Sequence, residues 1–340
     1  MKRTILYVVL AFIVAPIFVS CYQSHKKKLD LAYALVEFRP DSALALMKHI
    51  DQEGLSKEEM AKYALTYYIA QDKSGLDLDN DSLIRIAYDW YEGHQEDSLY
   101  VLCLNYMGKF YLLVDSMEQA KSCLEKAYFI SDSLHKMNVK RLVLDKLIEV
   151  EEQLEPYKAL RYAKDMLKMY DSMANVTIYN KVATRLRLGE NFFYVGSLQH
   201  ALEEERKAYR MAMKAGDSNL LSYVRQNLAS TFEEIGEKDS CLYYARLAYD
   251  LNAANRFSCL LTFASAYISV DSLNQAFSLL NQALPKTAED RYSVFYFQSQ
   301  AAMKAQDFKS AKSFSDSAYH YLEDMYRTAL QGKAAYYTSF

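Results

Sequence analysis

The chain has 340 residues, 51% of them hydrophobic, with only 9 Gly and 4 Pro against 30 Tyr. So few breakers, and no Gly/Ser/Pro-rich linker, argue against a string of separate domains and for helix throughout. A formal net charge of −3, with no domain-scale basic face, excludes nucleic acid as a natural partner.

Residues 1–20 read as a signal peptide. Lys2 and Arg3 form a positive start, and Ile5 to Val19 form an apolar run broken by Pro16. The run is short for a membrane span and right for a secretory leader. Removing it takes away Lys2 and Arg3 and leaves a net charge of about −5. Phe18-Val19-Ser20 stands immediately before Cys21. This stretch resembles the lipobox of bacterial lipoproteins, with Phe18 where Leu is usual. The resemblance implies lipidation of Cys21 and attachment to the membrane through its acyl chains, of which two or more anchor stably. Residues 21–28 then form a polar tether. Position 22 is Tyr rather than Asp, and Lys26, Lys27 and Lys28 stand where surface-exported lipoproteins of some Gram-negative bacteria carry acidic residues. The expected location is therefore the outer membrane, on its periplasmic face.

From residue 29 onward the pattern is helical hairpins. Residues 29–95 hold two degenerate ones. In the first, Pro40-Asp41-Ser42-Ala43 starts a helix with Met47 and Ile50 on one face; the second carries Ala64 and Tyr67, then a helix from Asp81 to Tyr91. Residues 96–325 repeat one frame, clearest in Leu104, Met107, Gly108, Tyr111, Ala120, Leu124 and Ala127. Small residues on two facing helices let them approach, and larger ones fill the space between hairpins. Copies follow at Leu147, Val150, Ala159, Ala163 and Met166, and at Leu188, Gly189, Phe192, Gly196, Ala201 and Ala208. Others run through Leu228, Ala229, Phe232, Gly236, Cys241, Ala245 and Ala248, and through Phe263, Ala264, Tyr267, Ala276, Leu280 and Ala283. A weaker copy holds Ala302, Ala311 and Ala318. Residues 326–340 are a tail or helix extension.

This frame resembles the tetratricopeptide repeat. The resemblance implies an all-α, right-handed αα superhelix of about eight hairpins. An Asp-Ser doublet recurs at 41, 81, 97, 115, 132, 171, 217, 239, 271 and 316, mostly at expected turns, and reads as helix N-capping.

Constellations that could carry chemistry are few. Asp77, Asp79 and Asp81 open like a calcium loop, but Ser82 and Tyr88 stand where Gly and Glu are needed. The six histidines lack any paired ligand spacing, so no metal is expected. Cys103 and Cys123 lie on two helices of one hairpin, and Cys241 and Cys259 on neighbouring helices, so either a disulfide or plain packing is open to them. Glu203-Glu204-Glu205 reads as a solvated charge run. No nucleophile elbow, P-loop or dinucleotide motif appears, and neither an enzyme nor a cofactor is expected.

In tetratricopeptide stacks the first helices line a concave, peptide-binding surface. Carried over position by position, that surface comprises Asn105, Lys109, Leu112, Leu186, Glu190, Phe193, Tyr194, Gln226, Ser230, Glu233, Tyr296 and Gln300. Its mixture of aromatic and polar groups suits a protein or peptide partner. The resemblance thus implies a lipid-anchored periplasmic scaffold. The alternatives are a glycan-binding outer-membrane lipoprotein, given the many tyrosines, and a ligand-sensing component of a regulatory system.

Overall fold

A computed structural model describes residues 26–338, except 77, 79, 80, 95–97, 136, 175 and 252, and no side chains at 329 or beyond 330. The leader and Cys21 lie outside the described residues. So do Asp77 and Asp79, while Asp81 is buried and paired with Arg85. No helix among the described residues is long and apolar enough to cross a membrane.

Sixteen helices and no strand occur among the described residues. They are α1 (26–35), α2 (Pro40–Met47), α3 (Lys57–Lys73), α4 (Ser82–Tyr91), α5 (Ser98–Leu113), α6 (Met117–Ser133), α7 (Met137–Leu154) and α8 (Pro156–Ser172). Then come α9 (Ile178–Tyr194), α10 (Leu198–Ala215), α11 (Ser218–Ile235), α12 (Lys238–Tyr249), α13 (Arg256–Ser269), α14 (Leu273–Leu280), α15 (Ala288–Lys304) and α16 (Phe308–Thr338). Consecutive helices pack as hairpins, α3 on α4, α5 on α6, α9 on α10, α11 on α12, α13 on α14 and α15 on α16, the all-α hairpin-repeat class expected from the sequence. α1 starts at residue 26, so the last three residues of the expected tether are helical. α16 continues without a break through the expected tail to Thr338.

The described residues form two compact units, one ending at Lys146 and the other starting at Leu147. In the first, α5 packs on α6 through Gly108. A Cβ built on Gly108 would lie 2.6 Å from Cγ of Leu124, a side chain with no exposed surface. The glycine is therefore the hole into which Leu124 fits, and Tyr68, Tyr100 and Phe110 fill the surrounding core. In the second unit Val182, Leu202, Leu228, Ala229, Phe232 and Ala245 belong to one core that joins α9 to α12.

One slot of the repeat closes the first helix of five hairpins, those that begin with α5, α9, α11, α13 and α15. At Asp115, Gly196, Gly236, Asp271 and Gln306 the backbone is left-handed, with φ of 53°, 72°, 88°, 62° and 59°. Each follows the end of its helix, and the next amide bonds back to a helical carbonyl, as Ser116 N–H does to Tyr111 (2.7 Å) and Ser272 N–H to Tyr267 (2.9 Å). The Asp-Ser doublets at 115 and 271 thus end helices, with Asp in a conformation that Gly takes more readily. Asp132, Asp171 and Asp316 lie within helices. Among the doublets, Asp217 does cap, its carboxylate accepting from the Asn219 and Leu220 amides. At 115, 132, 171, 271 and 316 the doublet makes no N-cap, contrary to the expectation from sequence.

Gln306 has a side chain with no compensating bond in the left-handed slot and is exposed. Replacing it with glycine removes the Cβ clash, so Gln306→Gly is expected to raise unfolding stability by about 0.5–1 kcal/mol, read as a higher urea midpoint.

Candidate functional site

Within residues 147–340 the first helices α9, α11, α13 and α15 touch in succession, and among the described residues no comparable contact joins α10, α12 and α14. The first helices therefore take the inner side of the curve. Polar side chains zip them together. Asn191 Nδ2 donates to Glu152 (2.8 Å), Asn227 Nδ2 to Glu190 (2.8 Å), Asn255 Nδ2 to Gln226 (2.9 Å) and Ser265 Oγ to Glu233 (2.7 Å). Such bonds fix the spacing of neighbouring hairpins and satisfy the buried polar groups that make them.

One place on this side stays open. A cavity of about 220 Å³ is lined by Glu190, Phe193 and Tyr194 of α9, Glu205 of α10, and Asn227, Ser230 and Thr231 of α11. Glu205 forms its floor. It is 1% exposed, and its Oε1 accepts from Thr231 Oγ1 at 2.8 Å while Oε2 has no partner. Gly189 makes this possible, because a Cβ there would stand 3.1 Å from Glu205 Cγ. Burial, and then the nearby Glu190 charge, push the Glu205 carboxyl up to about 7, against the pull of the Thr231 bond. The phenol of Tyr194 is also raised, by burial and by the charges of Glu190 and Glu152.

The Glu203-Glu204-Glu205 run is therefore not a solvated face. Glu203 is exposed, but Glu204 is buried between Arg185 (2.7 Å) and Lys207, and Glu205 is deeper still. The repeat register explains this. Counting from the small residue of each first helix, Gly108 corresponds to Gly189 and Leu124 to Glu205. The same slot holds Ala163, Ala245 and Leu280 in other copies, so Glu205 is a carboxylate in a position that elsewhere packs the core.

Four of the twelve residues expected to form a groove line the cavity: Glu190, Phe193, Tyr194 and Ser230. The others are elsewhere. Leu186 is buried in the core rather than presented on a surface. Gln226 and Glu233 are held in the inter-helix bonds, Gln226 donating to Ser258. Tyr296 and Gln300 are exposed on α15 and do not line the cavity. Asn105, Lys109 and Leu112 belong to the other compact unit. There Asn105 is buried with its Oδ1 unpartnered, Lys109 pairs with Asp72, and Leu112 is half-buried. Sequence reasoning missed Glu205, Asn227 and Thr231.

A wider depression of about 640 Å³, lined by Arg206, Phe232 and Tyr244 among others, is built from groups already stacked on one another. The Phe232 and Tyr244 rings lie 5.6 Å apart and nearly parallel, and Arg206 sits over Phe232. No unpartnered buried polar atom lines it. Cys123, Cys241 and Cys259 are free thiols, and Cys103 is buried in the core. Burial raises the Cys123 thiol to about 11 and Cys241 to about 12, which suits packing rather than reactivity.

The fold is shared with solved tetratricopeptide-type proteins. The apo form of RapI superposes with a TM-score of 0.67 at 14% identity, over 88% of this chain and 86% of that one. A signal-transduction ATPase with a tetratricopeptide-repeat sensor from Pyrococcus horikoshii gives 0.62 at 14% identity, over 89% of this chain, which spans about half (49%) of that protein's length. NprR in complex with its cognate peptide NprX gives 0.58 at 16% identity, over 85% and 86% of the two chains. No protein-family model matches the sequence, and no curated protein does.

Proposed function

We propose that this chain is a non-catalytic, lipid-anchored periplasmic scaffold of a Gram-negative bacterium, holding a partner protein or peptide on the inner side of its first helices. The observation that carries the binding reading is the cavity between α9 and α11. It is an aromatic and polar recess on the inner side of the stack, with a buried carboxyl oxygen that has no partner among the described residues. Buried polar groups left without a partner are uncommon and call for an explanation, and a bound partner supplies one. The fold is also that of NprR, whose solved complex holds a peptide. The anchor rests on the signal-like leader and on Cys21 behind Ser20.

Two measurements test this. Crosslinking in the native envelope is expected to recover the same partner with the wild-type chain and to lose it with Phe193→Ala/Tyr194→Ala. Recovery unchanged by the double variant would place binding elsewhere. Metabolic labelling with an alkyne fatty acid is expected to mark the wild type and not Cys21→Ala, which should leave the membrane fraction. Titration of oligosaccharides giving micromolar binding would overturn the peptide reading in favour of glycan capture.

A further inference from the structure

We propose that the α9–α11 cavity is a subsite for a cationic side chain, a lysine or arginine of the bound segment, with Glu205 and Glu190 as its counter-charges and Phe193 and Tyr194 as its walls. This rests on the peptide-binding reading of the same groove and names the chemistry it selects.

Charge bookkeeping points one way. The basic residues near these carboxylates are taken: Arg185 and Lys207 pair with Glu204, and Arg187 with Glu152. Among the described residues neither Glu190 nor Glu205 makes an ion pair. Glu190 receives only the neutral amide of Asn227, and Glu205 only the hydroxyl of Thr231. Two carboxylates therefore face one recess with no cation between them. An anionic ligand would meet repulsion from both, whereas a cation relieves their mutual repulsion and satisfies the free Oε2 of Glu205.

Shape agrees. At about 30 Å³ per water the 220 Å³ cavity holds roughly seven waters, enough for a guanidinium or ammonium on its alkyl arm and too little for a folded element. The Phe193 and Tyr194 rings meet edge to face with centroids 6.1 Å apart, and an aromatic ring attracts a cation placed over its face. The repeat register adds an independent reason. A slot that packs Leu124 and Leu280 elsewhere has a carboxylate here, a replacement that weakens packing and gains the Thr231 hydroxyl bond while leaving Oε2 without a partner among the described residues.

The test uses the full chain in detergent and fluorescent decapeptide pools with one fixed central residue, arginine in one and its neutral isostere citrulline in the other. The arginine pool is expected to bind at least about tenfold more tightly. That preference should shrink to near unity in Glu205→Gln, whose folding is checked by circular dichroism, and should grow as pH rises from 6 to 8. A Glu205→Leu variant, isosteric with Leu124 of the first full repeat, should lose it equally. Equal binding of both pools by the wild type would overturn the cationic subsite and leave the groove reading standing. Binding of neither pool would overturn both, with one distinction. If spermidine alone binds and Glu205→Gln abolishes it, the cationic site survives as a polyamine site and the peptide groove does not.

Discussion

Glu205→Leu is expected to make the chain more stable at neutral and alkaline pH and to change it little in acid, where filling the slot is offset by leaving the buried Thr231 hydroxyl without its acceptor. The wild-type side chain is 1% exposed and leaves Oε2 unsatisfied, a cost of about 1–3 kcal/mol. The repeat already contains the solution that the variant would adopt, since Leu124 sits opposite Gly108 as residue 205 sits opposite Gly189. A leucine therefore has a hole to fill, and Thr231 loses one acceptor in exchange.

The pH dependence follows from the carboxyl's displacement. It is held at about 7 in the folded chain and returns to its ordinary 4.5 on unfolding, where burial and Glu190 no longer act. A raised folded-state value favours the protonated form in the native state. Its contribution is complete below 4.5 and is lost as pH climbs from there through about 7, because over that range the unfolded chain gives up a proton that the folded chain still holds. The whole step is worth about 3 kcal/mol. Urea unfolding at pH 5 and pH 8 should show the wild type losing stability over this window and Glu205→Leu losing much less. Parallel pH profiles would mean that Glu205 is not the titrating group. The gain in stability and the loss of ligand preference would then be two readings of one buried carboxylate, the usual relation between a strained site and its function.

The fold was legible because its signal is periodic. Small residues recur in register at Gly108, Gly189, Ala229 and Ala264, and again where Ala120, Ala201, Cys241 and Ala276 face them. Eight hairpins follow from that frame. The turn chemistry was half legible. Gly196 and Gly236 announce a left-handed residue, but Asp115, Asp271 and Gln306 occupy the same slot with side chains that more often mean something else. Asp before Ser reads as a cap until the backbone angle is known.

The cavity was less legible for two reasons. Groove positions were assigned by equivalence along the repeat, whereas a cavity needs neighbours. Glu190, Phe193 and Tyr194 meet Ser230 because α9 and α11 touch, and Tyr296 is on a helix that does not line the recess. Glu205 was hidden by its company. Three consecutive glutamates look solvated, yet consecutive residues on a helix point about 100° apart, so one run can present Glu203 to water and bury Glu205. The signal that would have found it is the register itself, in which residue 205 aligns with Leu124.

Gly108→Ala should be among the more damaging small substitutions in the chain. The added methyl would stand 2.6 Å from Leu124 Cγ and 2.9 Å from one of its methyl carbons, closer than carbon atoms tolerate. Leu124 cannot swing away at its far end, because the clash is at its branch point and the side chain is wholly enclosed. Either α5 and α6 separate or Leu124 leaves its rotamer, at about 1–3 kcal/mol, against which alanine's better helix propensity returns less than about 1 kcal/mol. The effect should be confined to the compact unit that ends at Lys146 and contains both helices. Hydrogen exchange should show faster opening of α5 and α6 with α9 to α12 unchanged. The matching substitution in the other unit is a sharp contrast. At Gly189 the methyl would meet Glu205 Cγ at 3.1 Å, a contact that a small shift of an unbranched chain can relieve. Gly189→Ala should therefore cost less stability than Gly108→Ala while moving the Glu205 carboxyl within its cavity. A cavity function that survives Gly189→Ala unchanged, with Gly108→Ala unfolding its own unit, would indicate that the glycine sets packing alone and that Glu205 tolerates displacement.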